Sequence, residues 1–133
     1  MKKSIIISAI ALSFSIGGAH ATTEPLHLKN NRVEAYFKVN SFCVSIALGD
    51  YETVKKLIDR GANVNAKSHG MTPAMYAAKY NRVEILQLLI ENGAKLKTKC
   101  DKGKTASEYA ELHGAHDTKA VIEEHLESKK RKK

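Results

Sequence analysis

Apolar residues along this chain recur at helical spacing in short runs, separated by polar segments rich in glycine. Val33, Phe37, Val44 and Leu48 share one face, and Tyr36, Phe42 and Ile46 widen it. The spacing predicts one long helix or two short ones, with Ser41 capping the second. After the Gly49-Asp50 break, Val54, Leu57 and Ile58 turn one way and Lys55, Lys56 and Asp59 the other, an amphipathic helix with Gly61 as its left-handed cap. The segment 62–71 is polar, glycine-bounded and too short for a helix, so it reads as an extended turn or hairpin. Thr72 as N-cap and Pro73 at the first helical position open the next helix, where Ala74, Ala77 and Ala78 permit close packing beside Tyr76. A further helix covers 83–90 with Gly93 past its end, and 95–104 repeats the polar turn with five lysines. Thr105 starts another helix through Tyr109 and Ala110, Gly114 breaks it, and Ala120, Val121, Ile122 and Leu126 mark the last. Lys119 and Glu123 on that helix suit an end unit that faces water.

The pattern is repetitive in letters as well as in polarity. Asp59-Arg60-Gly61-Ala62-Asn63-Val64 returns 32 residues later as Glu91-Asn92-Gly93-Ala94-Lys95-Leu96. Gly70-Met71-Thr72-Pro73 returns after 33 as Gly103-Lys104-Thr105-Ala106, as does Ala77 at Ala110. A period of this size belongs to stacked units that bury a shared core and present a surface, and nothing in it builds a reaction centre.

These residues resemble the ankyrin repeat. The best copy joins Gly70-Met71-Thr72-Pro73-Ala74-Met75-Tyr76-Ala77-Ala78 to Asn81-Arg82-Val83-Glu84-Ile85-Leu86-Gln87-Leu88-Leu89-Ile90-Glu91-Asn92-Gly93-Ala94. It is similar to the family's G-x-T-P-L-H-x-A-A and G-x-x-E-I-V-x-L-L-L-x-x-G-A pattern, and the likeness covers about 41–126. The resemblance implies an all-α solenoid of about three helix-turn-helix units (40–71, 72–104 and 105–127) with short hairpin connections, inside a domain of 31–127 whose first helix, 31–39, acts as a cap. Met75 replaces the family's histidine, and Ala106, Ser107 and Glu108 replace its Pro, Leu and His, which implies a less rigid array. The family binds partner proteins through hairpin tips and the inner-helix face. Carried over by position, that surface comprises Leu48, Lys67, His69, Met71, Lys79 and Tyr80 from the first two units. Lys99, Asp101, Lys102, Lys104, Leu112 and His113 complete it. Tyr80 and Met71 are the expected anchors, and the lysines either steer an acidic partner or are simply solvated turn residues.

The first residues read as a processing signal. Lys2 and Lys3 precede an apolar run over 5–16, and Ala19-His20-Ala21 forms an A-x-A site, so a signal peptide over 1–21 is expected to be removed. The run is shorter than the roughly 18 to 20 residues a membrane-spanning helix needs. The mature chain would begin at Thr22 with a loose leader over 22–30, in the periplasm or outside the cell and with no stable membrane insertion. Loss of Lys2 and Lys3 lowers the formal charge from +8 to +6, so the partner expected is acidic. The basic run over 129–133 is expected to lie in a disordered tail over 128–133, where it solubilises the chain or serves as a nuclear-localisation-like or nucleic-acid patch.

Little else suggests chemistry. Cys43 reads as a small buried hydrophobe and Cys100 as an exposed thiol. Helices one layer apart stand about 8 to 10 Å between axes, whereas a disulfide needs Cα atoms within about 7 Å, which disfavours a bridge. His113, His116, Asp117 and His125 lack zinc-like spacing, so no metal is expected. No nucleophile elbow or phosphate-binding glycine loop is present, and the carboxylates fall on helix exteriors and ends. The expectation is a monomeric, cofactor-free, non-enzymatic binding protein, with electrostatic binding of nucleic acid or an anionic envelope polymer as the alternative.

Overall fold

The computed structural model describes residues 39–133. The signal peptide, the leader and, apart from Val39, the capping helix expected from residue 31 lie outside the described residues. Six helices follow in order: α1 (Ser41–Leu48), α2 (Tyr51–Asp59), α3 (Pro73–Lys79), α4 (Val83–Glu91), α5 (Ala106–Leu112) and α6 (His116–Arg131). Each odd-numbered helix packs on its successor to form a unit; α1, α3 and α5 then stack as an inner row, and α2, α4 and α6 as an outer one. Among the described residues there is no strand, and the first connecting turn is pinched by a lone bridge between Ser68 and Met71. Over the described residues the architecture is the all-α repeat that the resemblance implied.

Local chemistry starts each inner helix in the same way. Asn40, Thr72 and Thr105 are extended N-cap residues whose side chains accept from the amides of Cys43, Met75 and Glu108. Ser41, expected as the first cap, is already helical, and only the residue before it has the extended backbone a cap needs. The substitutions for the family's histidine keep a reciprocal contact. The Thr72 amide donates to Met75 Sδ at 3.3 Å, and the Thr105 amide donates to Glu108 Oε2 at 2.6 Å. A thioether is a weak acceptor and a carboxylate a strong one, so the third unit has the firmer start.

The core runs through all three units. Ile46, Val54, Met75, Leu86, Leu89 and Ile122 are fully buried. The central helix α3 is buried from Pro73 through Ala78, its alanines letting α1 and α5 approach from either side. Polar bonds then stitch each unit to the next. Arg82 Nε and Nη2 both donate to the Ala47 carbonyl, at 3.1 and 2.8 Å. Asn65 Nδ2 donates to the Gly93 carbonyl, while its Oδ1 accepts from the Lys95 amide. Asn81 does the same one unit on, donating to Asp117 and accepting from the Thr118 amide.

The C-terminal run departs from expectation. Instead of disorder from 128, α6 continues to Arg131, 16 residues against nine in α4. Lys129, Lys130 and Arg131 occupy its last turn, where the helix dipole favours cations, and the Ser128 hydroxyl donates to the His125 carbonyl. Five like charges repel in an isolated tail, but on an existing helix end they oppose a negative pole.

Candidate functional site

The inner helices end in a row. Leu48 is the last residue of α1, Tyr80 the C-cap of α3 and Leu112 the last residue of α5. They are the large apolar side chains that the described residues leave exposed, at 73%, 43% and 61%. Each is followed at once or within two residues by a left-handed residue (Gly49, Asn81 or Gly114), so the chain turns away toward the outer helix before these side chains reach the core. Lys79 places its ammonium 5.2 Å from the centre of the Tyr80 ring, a cation–π contact at the middle of the row. His113 lies stacked on Tyr109, ring centres 6.4 Å apart.

The turn tips form a second group. His69, Met71, Asp101 and Lys102 surround a recess of 230 Å³ that Gly70, Cys100 and Tyr109 complete. Lys67 reaches across to Asp101 at 3.5 Å, an exposed pair that contributes little to stability. Lys99 and Lys102 are exposed and Lys104 is half-buried. The two expected anchors differ: Tyr80 is open to solvent, whereas Met71 is half-buried against the core. The helix-end row shares no residue with the recess, so the sequence-derived surface resolves into two neighbourhoods.

Cys100 corrects the expectation of an exposed thiol. It is 6% exposed because the turn folds over it: the Cys100 amide donates to the Lys104 carbonyl, and its Sγ accepts from the Lys102 and Lys104 amides and the Tyr109 hydroxyl. The Tyr109 hydrogen bond, aided by the two amides, holds the thiol below its ordinary pKa, and donating to the sulfur pushes the Tyr109 phenol up to about 12. Cys43 is the opposite case, pushed up to about 12 by burial in α1. Both thiols are free. Tyr109 was missed as part of this site, although its repeat counterpart Tyr76 carries the signal: the Tyr76 hydroxyl also closes a turn, donating to the Ser68 carbonyl.

The histidines do not converge. His113 stacks on Tyr109 and Asp117 holds Asn81, and among the described residues no group of three or more His, Cys, Asp or Glu side chains is placed to hold a metal ion.

Comparison with known proteins agrees with this geometry. Residues 41–129 match the family model for ankyrin repeats in three copies. The chain is 36% identical to Dauer abnormal formation protein 25 of Caenorhabditis elegans over 80 residues, 59% of this chain and 21% of that one. It is 30% identical to the human ankyrin repeat, SAM and basic leucine zipper domain-containing protein 1 over 81 residues, 60% of this chain and 17% of the relative. It therefore spans about a fifth of the length of the curated relatives it matches. Among solved structures it is similar, with a TM-score of 0.62 and 28% identity over 64% of this chain and 45% of the other, to a chain in the complex of the predatory endopeptidase Bd0816 from Bdellovibrio bacteriovorus with the immunity protein Bd3460. Ankyrin repeats are modules that bind other proteins, and with three of them in succession over 41–129 this chain belongs to the ankyrin-repeat family.

Proposed function

We propose that this chain is an exported, non-enzymatic binding protein whose inner-helix row grips an acidic partner protein. The observation that carries the reading is the row of Leu48, Tyr80 and Leu112, exposed on three consecutive units while the remaining large apolar side chains among the described residues are buried or half-buried. Large apolar side chains left open in such a row suit the anchors of an interface, where a few central contacts dominate the energy. The exposed lysines at positions 67, 99 and 102 on the turn tips and the net charge of +6 left after removal of 1–21 support an acidic partner, since surface charge of one sign mainly speeds encounter with the opposite one. The Lys2-Lys3 start, the apolar run and the A-x-A site support removal of 1–21, with the mature monomer in the periplasm or secreted.

Among the roles open to such a module, adaptor, host-directed effector or inhibitor, the similarity to a chain of an endopeptidase–immunity protein complex favours the last: a protein that shields or restrains an enzyme. The test is capture of partners from envelope and whole-cell extracts, washed at low and moderate salt, with protein and nucleic acid both quantified. The expected result is one protein retained at moderate salt and lost on Tyr80→Ala. Recovery of salt-labile nucleic acid or polyanion alone would overturn the reading in favour of charge-driven binding. N-terminal mass analysis should find Thr22 at the start of the mature protein, and intact Met1 in a soluble cytoplasmic fraction would refute export.

A further inference from the structure

A second surface lies among residues that the inner-helix row and the turn tips do not use. The turn after α4 and the second half of α6 enclose a groove of 570 Å³, which shares no lining residue with the recess at the tips. It exists because α6 is longer than its counterparts and its final turns overhang the 93–98 turn. The lining has two characters. Buried Ala94 and Leu96 and half-buried Leu126 supply an apolar floor, while Lys95 and Lys97 on one side and Lys129, Lys130 and Lys133 on the other supply exposed cations.

Among the described residues none of these five ammonium groups is in an ion pair, and no Asp or Glu lines the groove; the three ion pairs present involve Lys67 and Lys119 instead. Positions 125, 126, 129 and 130 fall on one helix face, so the cations and the apolar Leu126 are presented together. A concave site lined by one sign of charge concentrates the opposite sign, and an apolar floor adds a demand that simple anions do not meet.

Three kinds of anionic partner fit unequally. Among the described residues a nucleic acid would find a single ring to stack on, that of His125, and no Arg, Asn or Gln for bidentate reading of a base edge, so lysine charge alone would hold most of it. A flat anionic bilayer would touch the lysine rim and leave the floor empty. An extended peptide meets both: from 125 to 131, where α6 ends, the wall rises about 9 Å at helical pitch, a span that about three residues of extended chain cover. We infer that this groove is a second binding site, one that takes an extended acidic peptide segment with an apolar side chain between its carboxylates.

The probe is a fluorescein-labelled Asp-Glu-Leu-Asp-Glu peptide, titrated against the full chain by fluorescence anisotropy at about 50 mM salt. Saturable binding is expected, weakened at least about tenfold by the Lys129→Glu, Lys130→Glu pair and changed less than about twofold by Tyr80→Ala. Replacing the central Leu of the peptide by Ser should weaken it about threefold or more. Circular dichroism checks that the charge-reversed chain is folded; if it is not, the Lys129→Gln, Lys130→Gln pair and Lys95→Gln carry the test and should each weaken binding. Absence of binding overturns the inference. So does sensitivity to Tyr80→Ala without sensitivity to the lysines, or equal binding of the Ser peptide, of oligo-dT or of phosphatidylglycerol vesicles. Because Tyr80→Ala leaves the groove intact, failure here and failure of the inner-helix reading are separate results.

Discussion

Gly70 shows how tightly one residue can tie two turns together. Its φ of +78° lies in the left-handed region, and a Cβ there would come within 2.5 Å of Asp101 Oδ2. Gly103 has nearly the same φ, +77°, with open space around it, so the pair separates backbone strain from collision. Gly103→Ala should cost about 1 kcal/mol in urea unfolding. Gly70→Ala should cost about 1 kcal/mol more, an excess that Asp101→Ala should remove because it deletes the colliding carboxylate. A second contrast concerns the thiols. Cys100, covered by one turn and held toward its thiolate by Tyr109, should be alkylated well before Cys43, which is wholly buried and pushed up to about 12. Tyr109→Phe removes the hydrogen bond that favours the thiolate and should slow Cys100 at pH 7, read by mass spectrometry. Equal labelling of both cysteines in the folded chain would refute this account. The burial of Cys100 was not legible in the sequence, because it depends on the chain turning back from Lys104 rather than on any neighbour's polarity.

At the scale of the element, the clearest variable is how each inner helix begins. Glu108 is held below its ordinary value of 4.5 first by the Thr105 amide and then by the Thr105 hydroxyl. Stability from a carboxylate lowered in this way is complete above that value and is lost as pH falls through the folded-state pKa. Glu108→Gln should therefore destabilise the chain at neutral pH, and the two unfolding curves should converge as the pH drops below 4.5. Met75→Gln should show no such convergence, since neither side chain titrates. Caps and breaks were the most readable parts of this fold: Thr72, Thr105, Gly61 and Gly93 announce helix boundaries by chemistry that acts within a few residues. What failed was Ser41 against Asn40, a one-residue shift between two capable side chains, and the end of α6, where a charge run that argues for disorder in isolation instead extends an existing helix. Of the proposed interaction surface, Leu48, Tyr80 and Leu112 came from repeat position alone. Position says little about whether a residue such as Met71 is available, because half-burial is decided by the neighbouring unit.

The three described repeats form a series in which each meets only its neighbours, so a cut at one junction should loosen one end. Arg82 is the natural place to cut. Its two bonds to the Ala47 carbonyl tie the second unit to the first, and Arg82→Gln should remove about 1 to 2 kcal/mol from that junction. Amides of α1 and α2 should then exchange roughly 5- to 30-fold faster with deuterium, while those of α5 and α6 change little. Uniform acceleration would mean that the array opens as one block. The same contact also reaches back to Gly49, where a Cβ would lie 3.1 Å from the Arg82 guanidinium. Descent should respect that spacing. A lineage that keeps the arginine should keep the glycine more often, and one that first loses the arginine is left with the left-handed backbone of Gly49 as the remaining constraint. Across relatives the two positions should be inherited as a linked pair, although 33 residues separate them in the chain.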